Sequence, residues 1–360
     1  MRGLRAALVL GLAIVLARCG SSESEAPQTQ SDAGPDSADA GNDIWTSQDA
    51  PLEADAKLDV SAEADAPLDA EKDAPAGPLA LASGQQGPHA IALDLSNVYW
   101  TNSTGGSVMK LAKSGGAPVA LATGQQKPWG LAVDATSVWF TDLAAGTIMS
   151  ATIADGGASQ LHAPGGEPWA ITQESTVVYW TGHASGDVNA SPKTGLVVVK
   201  ETYAGAHPAA IATEGKTVYW SNDDAADAGA VVKVENFASS QPKPTPLALG
   251  LSNPIAIALD ATQVFVANQG DGTIMAIPKA GGPPVTLASA QGSPRAIAAD
   301  ASRVYWTSFD KGTVMSISKT GGSAAPLATG QASPDGIAVD ASGVYWVNFA
   351  DGTVMWAALP

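Results

Sequence analysis

The stretch PHAIALDLSNVYWTNSTGGSVMKLAKSGGAPVALATGQQK, residues 88–127, decides the fold because it recurs down the chain. Seven prolines (Pro88, Pro128, Pro168, Pro208, Pro254, Pro294 and Pro334) each open a short apolar run, at intervals of 40, 40, 40, 46, 40 and 40 residues. Six residues after each proline stands an acid: Asp94, Asp134, Glu174, Glu214, Asp260, Asp300 and Asp340. An aromatic pair or its equivalent follows in register, from Tyr99-Trp100 to Tyr345-Trp346, with Phe265-Val266 in the fifth copy. A Gly-x-Val/Ile-Met segment comes next, ending at Met109, Met149, Met275, Met315 and Met355; copies three and four carry Asn189 and Val232 there. Self-similarity at such a period marks a repeat architecture.

Each copy reads as four short strands separated by turns rich in Gly, Ser and Asn. In the first copy they fall at 89–94, 98–102, 107–113 and 117–123. Aromatic and β-branched residues fill strands two and three, and the first strand alternates Ala with Ile or Leu, as suits a crowded axis. Forty residues in four strands is the size of a propeller blade. The chain stops at Pro360 after the third strand of copy seven, and PLALAS at 78–83 matches PVALAT at 118–123. The reading is therefore all-β: a seven-bladed β-propeller of four-stranded blades over 77–360, closed by an N-terminal strand that completes the last blade. The 46-residue interval is an insertion split between 223–227 and 241–246, in loops of blade four.

These residues carry family resemblances. VWFTD at 138–142 and VYWTN at 98–102, each following P-x-[GA]-[IL]-A-x-D, resemble the YWTD repeats of extracellular receptor propellers. SPDGIAVD at 333–340 is similar to NHL-type and streptogramin-lyase-type repeats. The YWTD resemblance implies six blades, whereas seven are counted here, the number of the streptogramin lyases. The Asp of the YWTD motif stands at Asp142; its equivalents are Asn102, Gly182, Asn222, Asn268, Ser308 and Asn348. The streptogramin-lyase resemblance implies a His base with acidic metal ligands on a late blade, yet blades five to seven contain no His.

Outside the repeats the chain changes character. The formal charge of -17 sums +3 over residues 1–19, -13 over 20–77 and -7 over 78–360. So acidic a chain lacks the basic footprint that nucleic acid requires. The single Cys excludes a disulfide framework and a Cys-rich zinc site. Arg2 and Arg5 precede an apolar run at 6–17, too short to span a bilayer and suited to export. LARCGSS follows, and it resembles a bacterial lipoprotein signal with Cys19 as the lipidated residue, although Arg18 stands where that family has a small residue. By that family's sorting rule Gly20, not Asp, after the Cys implies the outer membrane. Residues 20–76 are Ala, Asp, Ser, Pro and Glu, with DAP or ADA recurring. This acidic stretch is expected to be a disordered tether with a reach on the order of 40 Å.

Positions that stay constant across the copies hold the blade; positions that vary are free for function. The residue after each proline varies most: His89, Trp129, Trp169, Ala209, Ile255, Arg295 and Asp335. It is expected at the channel mouth, joined by Asn102, Asp142, Asn222, Asn268 and Asn348 at the ends of strand two and by His183, Phe309 and Phe349 in the following loop. Trp129 and Trp169, read as exposed, would form a platform for a sugar, peptide or aromatic ligand. The bland alternative is that they fill the channel mouth. All four histidines (His89, His162, His183 and His207) are expected on this face. His162, His183 and His207 with Glu167 are the candidate set for a divalent metal, although their spacing matches no ligand motif. No other cofactor is expected.

The repeat acids read as turn caps, and the Met and aromatic series as packing between blades. No nucleophile–base pair or phosphate-cradling loop is visible. The composite expectation is an exported, lipid-anchored monomer of the cell envelope that binds a protein, peptide or glycan without catalysis. A propeller enzyme, lyase- or hydrolase-like, and a purely structural assembly module are the alternatives.

Overall fold

In the computed structural model, residues 77–162, 166–195, 199–202, 207–224, 229–237 and 243–360 are described. The expected signal with Cys19, the tether at 20–76, and 225–227 and 241–242 of the insertion lie outside them. The described residues form 28 strands in seven four-stranded antiparallel sheets, with no helix among them. The innermost strands are Pro88–Leu93, Pro128–Val133, Pro168–Gln173, Pro208–Glu214, Pro254–Leu259, Pro294–Ala299 and Pro334–Asp340. Each packs against the next, and the seventh against the first, so the blades form a closed ring. Leu79–Ala82 pairs antiparallel with Thr353–Ala357 and is the outermost strand of the seventh blade.

Small residues allow this ring to be tight. A Cβ on Gly336 would lie 2.4 Å from the His89 carbonyl oxygen of the adjoining blade. At Gly106, which turns strand two into strand three at φ 63°, a Cβ would meet the Gln125 carbonyl oxygen at 2.3 Å. The core lies between blades and is made of the second-strand aromatics, Trp100, Trp180, Trp220, Trp306 and Trp346 being fully buried. Met109, Met149, Met275, Met315 and Met355 are half-buried against it, filling irregular gaps.

A hydroxyl near the end of strand two ties blade to blade. The Thr101 Oγ1 accepts the Ala90 N–H of its own innermost strand at 3.1 Å and donates to the Trp129 carbonyl of the next blade at 3.0 Å. Thr141 does the same with Gly130 and Trp169, Thr181 with Ala170 and Ala209, and Thr307 with Ala296 and Asp335. The innermost strand bulges beside Ala90, as innermost strands do in blades with and without the hydroxyl. Pro88 pairs with Asn102 and Ile91 with Trp100, one residue out of register.

The five repeat aspartates are turn caps. The Asp94 Oδ1 accepts the N–H groups of Ser96 and Asn97, and its Oδ2 accepts the Tyr99 hydroxyl at 2.6 Å. Several repeat acids also meet a Lys of a neighbouring blade: Lys193 reaches Asp134 and Lys319 reaches Asp260, both at 2.7 Å, and Lys279 reaches Glu214 at 2.6 Å. Lys113 pairs with Asp340 across the junction of first and last blades. Burial alone would raise these carboxyls. Hydrogen bonds from the turn and from Lys, Tyr or Trp outweigh it, holding Asp94, Asp260, Asp300 and Asp340 below the ordinary 3.8 and Asp134 at about 2.

Two outcomes follow. Thr141→Val leaves the Gly130 N–H and the Trp169 carbonyl buried and unpaired, which should cost about 2 kcal/mol or more, while Thr141→Ser retains most of the stability. Thermal unfolding of both proteins checks this; an unaltered Thr141→Val protein would mean that the hydroxyls do not hold the blades. The lowered carboxyls add stability that is complete above pH 3.8 and lost as pH falls through the folded values towards about 2. Circular dichroism on acid titration should therefore show loss of structure below pH 4. Asp134→Asn, which keeps the turn acceptor but drops the Lys193 ion pair, should weaken that dependence.

Candidate functional site

The bulge places the residue after each proline at the end of the ring where the innermost strands begin. Side chains there touch from blade to blade. The His89 imidazole stacks on Trp129 with centroids 3.5 Å apart, and Trp129 meets Trp169 edge-on at 5.8 Å. Trp169 lies 4.2 Å from the His183 ring, and His183 lies 5.4 Å from His207. On the other side, the His89 Nε2 is 3.6 Å from the Asp335 Oδ2. An arc of rings thus spans blades one to four, with the Asp335 carboxylate of blade seven at its end.

This arc corrects the expectation of an exposed indole platform. Trp129 is 2% exposed and Trp169 7%. The ring is tight enough that adjacent indoles cover each other, and Lys127 lies over the Trp129 ring at 4.8 Å. What remains open is the rim, where the His207 side chain is 54% exposed and Lys127, Phe309 and Phe349 are half-buried.

Two histidines of the arc carry carboxylates. The His183 Nε2 is 3.1 Å from the Asp223 Oδ1, and the His207 Nδ1 is 2.8 Å from the Asp224 Oδ1. Asp223 and Asp224 were assigned to the insertion by sequence alone. Yet Asp223 follows Asn222 as His183 follows Gly182, so the internal alignment contained its place.

The four candidate metal ligands are not brought to one point, and His162 is lodged between blades two and three. His162 closes the outermost strand of blade two, stacks on Trp180 at 5.7 Å and meets the Ser191 Oγ at 2.6 Å; burial lowers its pKa. Glu167 is exposed at φ 54° and enters the site through its carbonyl, which accepts the His183 N–H at 3.1 Å. Among the described residues no three His, Cys, Asp or Glu converge on a point that could hold a metal.

The strand-two ends are buried within their own blades. The Asp142 carboxylate accepts the N–H groups of Gln126 and Lys127, both at 2.8 Å, clamping the loop before its innermost strand. Asn102 instead donates to the Gln85 Oε1 at 3.0 Å, which also takes the Trp100 indole N–H; Asn348, Gln331 and Trp346 repeat the clasp. Sequence reasoning missed these glutamines, although Gly-Gln before the repeat proline was the signal. Asn268 donates to Thr273 at 2.9 Å. The Oδ1 atoms of Asn102, Asn222, Asn268 and Asn348 are buried without a hydrogen-bond partner among the described residues.

Arg295 and Asp335 complete the ring position. The Arg295 guanidinium lies over the Phe309 ring at 4.1 Å. Its Nε and Nη1, the Asp335 Oδ1 and the Trp129 Nε1 are likewise buried and unpartnered among the described residues.

No family model matches the chain, and no curated protein matches it. Solved structures do. Virginiamycin B lyase from Staphylococcus aureus is similar with a TM-score of 0.68 at 18% identity, covering 79% of this chain and 98% of that one. A streptogramin B lyase gives 0.65 at 19% identity, covering 79% and 97%. A chain of the nidogen/laminin complex gives 0.53 at 18% identity, covering 65% and 90%. At these identities the likeness is one of fold, and the fold of residues 77–360 is that of a seven-bladed β-propeller.

Proposed function

We propose that this chain is an exported, lipid-anchored binding or scaffold propeller of the cell envelope that takes a protein, peptide or glycan on the face where the innermost strands begin. The carrying observation is the contrast within the repeat. Seven copies hold the same turns, hydroxyls and aromatics, while the residue after the proline changes from ring to cation to acid. Those variable side chains touch one another across blades, with the Trp129 Nε1, the Arg295 Nε and Nη1 and the Asp335 Oδ1 left without hydrogen-bond partners among the described residues. The buried indoles give the floor of such a site its shape, and His207, Lys127, Phe309 and Phe349 form its accessible rim. Cys19 supplies the anchor and residues 20–76 the spacer that carries the ring away from the membrane.

A second reading, a propeller enzyme, is favoured by one arrangement. A carboxylate at the Nδ1 of the exposed His207 orients an imidazole as general bases are oriented. The structural neighbours include lyases, but residues 254–360 of this chain contain no His. Fold by itself decides neither reading, since one architecture hosts many functions.

Titration with peptide and oligosaccharide panels, followed by intrinsic Trp fluorescence, tests the binding role, because Trp129 and Trp169 lie beneath the rim. The expected result is a saturable change that weakens at least 10-fold in the His207→Ala/Phe309→Ala/Phe349→Ala protein, with no turnover of the ligand. Turnover abolished by His207→Ala would install the enzyme reading. No saturable response, with the fold intact, would move the role to the sides of the ring. Separately, Cys19→Ser should shift the protein from the membrane pellet to the soluble fraction; equal fractionation of the two proteins would remove the anchor.

A further inference from the structure

This inference rests on the reading of the variable face as a ligand site and names the ligand's chemistry. Arg295 and Asp335 occupy the same repeat position in the adjoining blades six and seven, whose innermost strands pack side by side. Both side chains are buried, 5% and 2% exposed. They do not pair with each other. Arg295 makes no ion pair with any described residue, and its Nε and Nη1 lack acceptors. The Asp335 Oδ1 lacks a hydrogen-bond donor, while its Oδ2 faces the His89 imidazole at 3.6 Å, within ion-pair range.

Buried polar atoms in folded proteins are almost always satisfied, and a buried charge without a partner is strongly destabilising. This chain solves the same problem elsewhere. Lys193 with Asp134, Lys279 with Glu214 and Lys319 with Asp260 pair between blades. The unpaired Arg295 guanidinium, with the open Asp335 Oδ1 in the next blade, therefore marks a place where partners come from outside. The unmet needs are specific: a planar donor fork calls for a carboxylate, and a carboxylate oxygen one blade away calls for a cationic donor. Phe309 walls one side of the guanidinium, and the His89–Trp129 stack lies beyond Asp335.

We propose that Arg295 and Asp335 together hold a free α-amino acid, its carboxylate on the Arg295 guanidinium and its ammonium on the Asp335 carboxylate, with its side chain against the aromatic arc. A peptide end offers one of these charges without the other on the neighbouring atoms, so the free zwitterion is the better fit.

Calorimetric titration of the full mature chain with the free amino acids tests this. Each amino acid is accompanied by its N-acetyl and carboxamide derivatives, which remove one charge apiece. At least one amino acid should bind saturably, and both of its blocked derivatives should bind at least 10-fold more weakly. Arg295→Gln and Asp335→Asn should each lose at least 10-fold in affinity, and Arg295→Gln, which removes an unpaired charge, should unfold no earlier than the unliganded wild type. Binding of an N-acetyl derivative as tight as its parent would overturn the proposal in favour of a simple anion site. So would no response to any amino acid from folded protein, or an Arg295→Gln protein that is destabilised without ligand. If amino acids fail but the peptide or oligosaccharide response persists and is lost in the rim variant, the binding face stands and only this ligand class falls. If both fail, the face itself is refuted.

Discussion

One hydroxyl, repeated, holds this molecule together. Inner strands of neighbouring blades in a propeller have no ladder of hydrogen bonds between them, because each sheet is complete within its blade. Here the Thr at the end of strand two bridges the gap, accepting from its own innermost strand and donating to the next. Two buried backbone groups are satisfied by one side chain at the narrowest part of the ring. Ala267 and Val347 lack that hydroxyl in blades five and seven, so packing of the apolar clusters carries more of those junctions.

The bulge beside the repeat proline shapes the candidate site. It recurs in all seven blades, including five and seven, which lack the hydroxyl. A bulge re-aims a side chain without disturbing the rest of the strand. The residue after the proline is thereby released from the constraints on its neighbours and turned towards its counterparts in other blades. A structural need and a functional opportunity share one position, which explains why it changes freely while the flanking residues are fixed.

Charge is organised in the same way. The repeat aspartates fasten turns and, with Glu214, receive lysines from adjoining blades, so most acids of the ring have structural employment. Three others are placed differently. Asp223, Asp224 and Asp335 face imidazoles rather than backbone turns. The pairing of acids with histidines on one face, and with lysines between blades, separates chemistry from architecture.

The sequence by itself determined the blade count, the strand order within a blade, the turn-capping role of the repeat aspartates and the position from which a site would be built. These are local or periodic properties, and seven copies average out the ambiguity of any one. What the tertiary structure decided was which equivalent positions touch. Burial of Trp129 and Trp169, the turning of His162 towards Ser191, and the meeting of His183 with Asp223 depend on the distance between neighbouring blades. That distance is set by closing seven twisted sheets into one ring, a condition on the whole chain that no single repeat encodes.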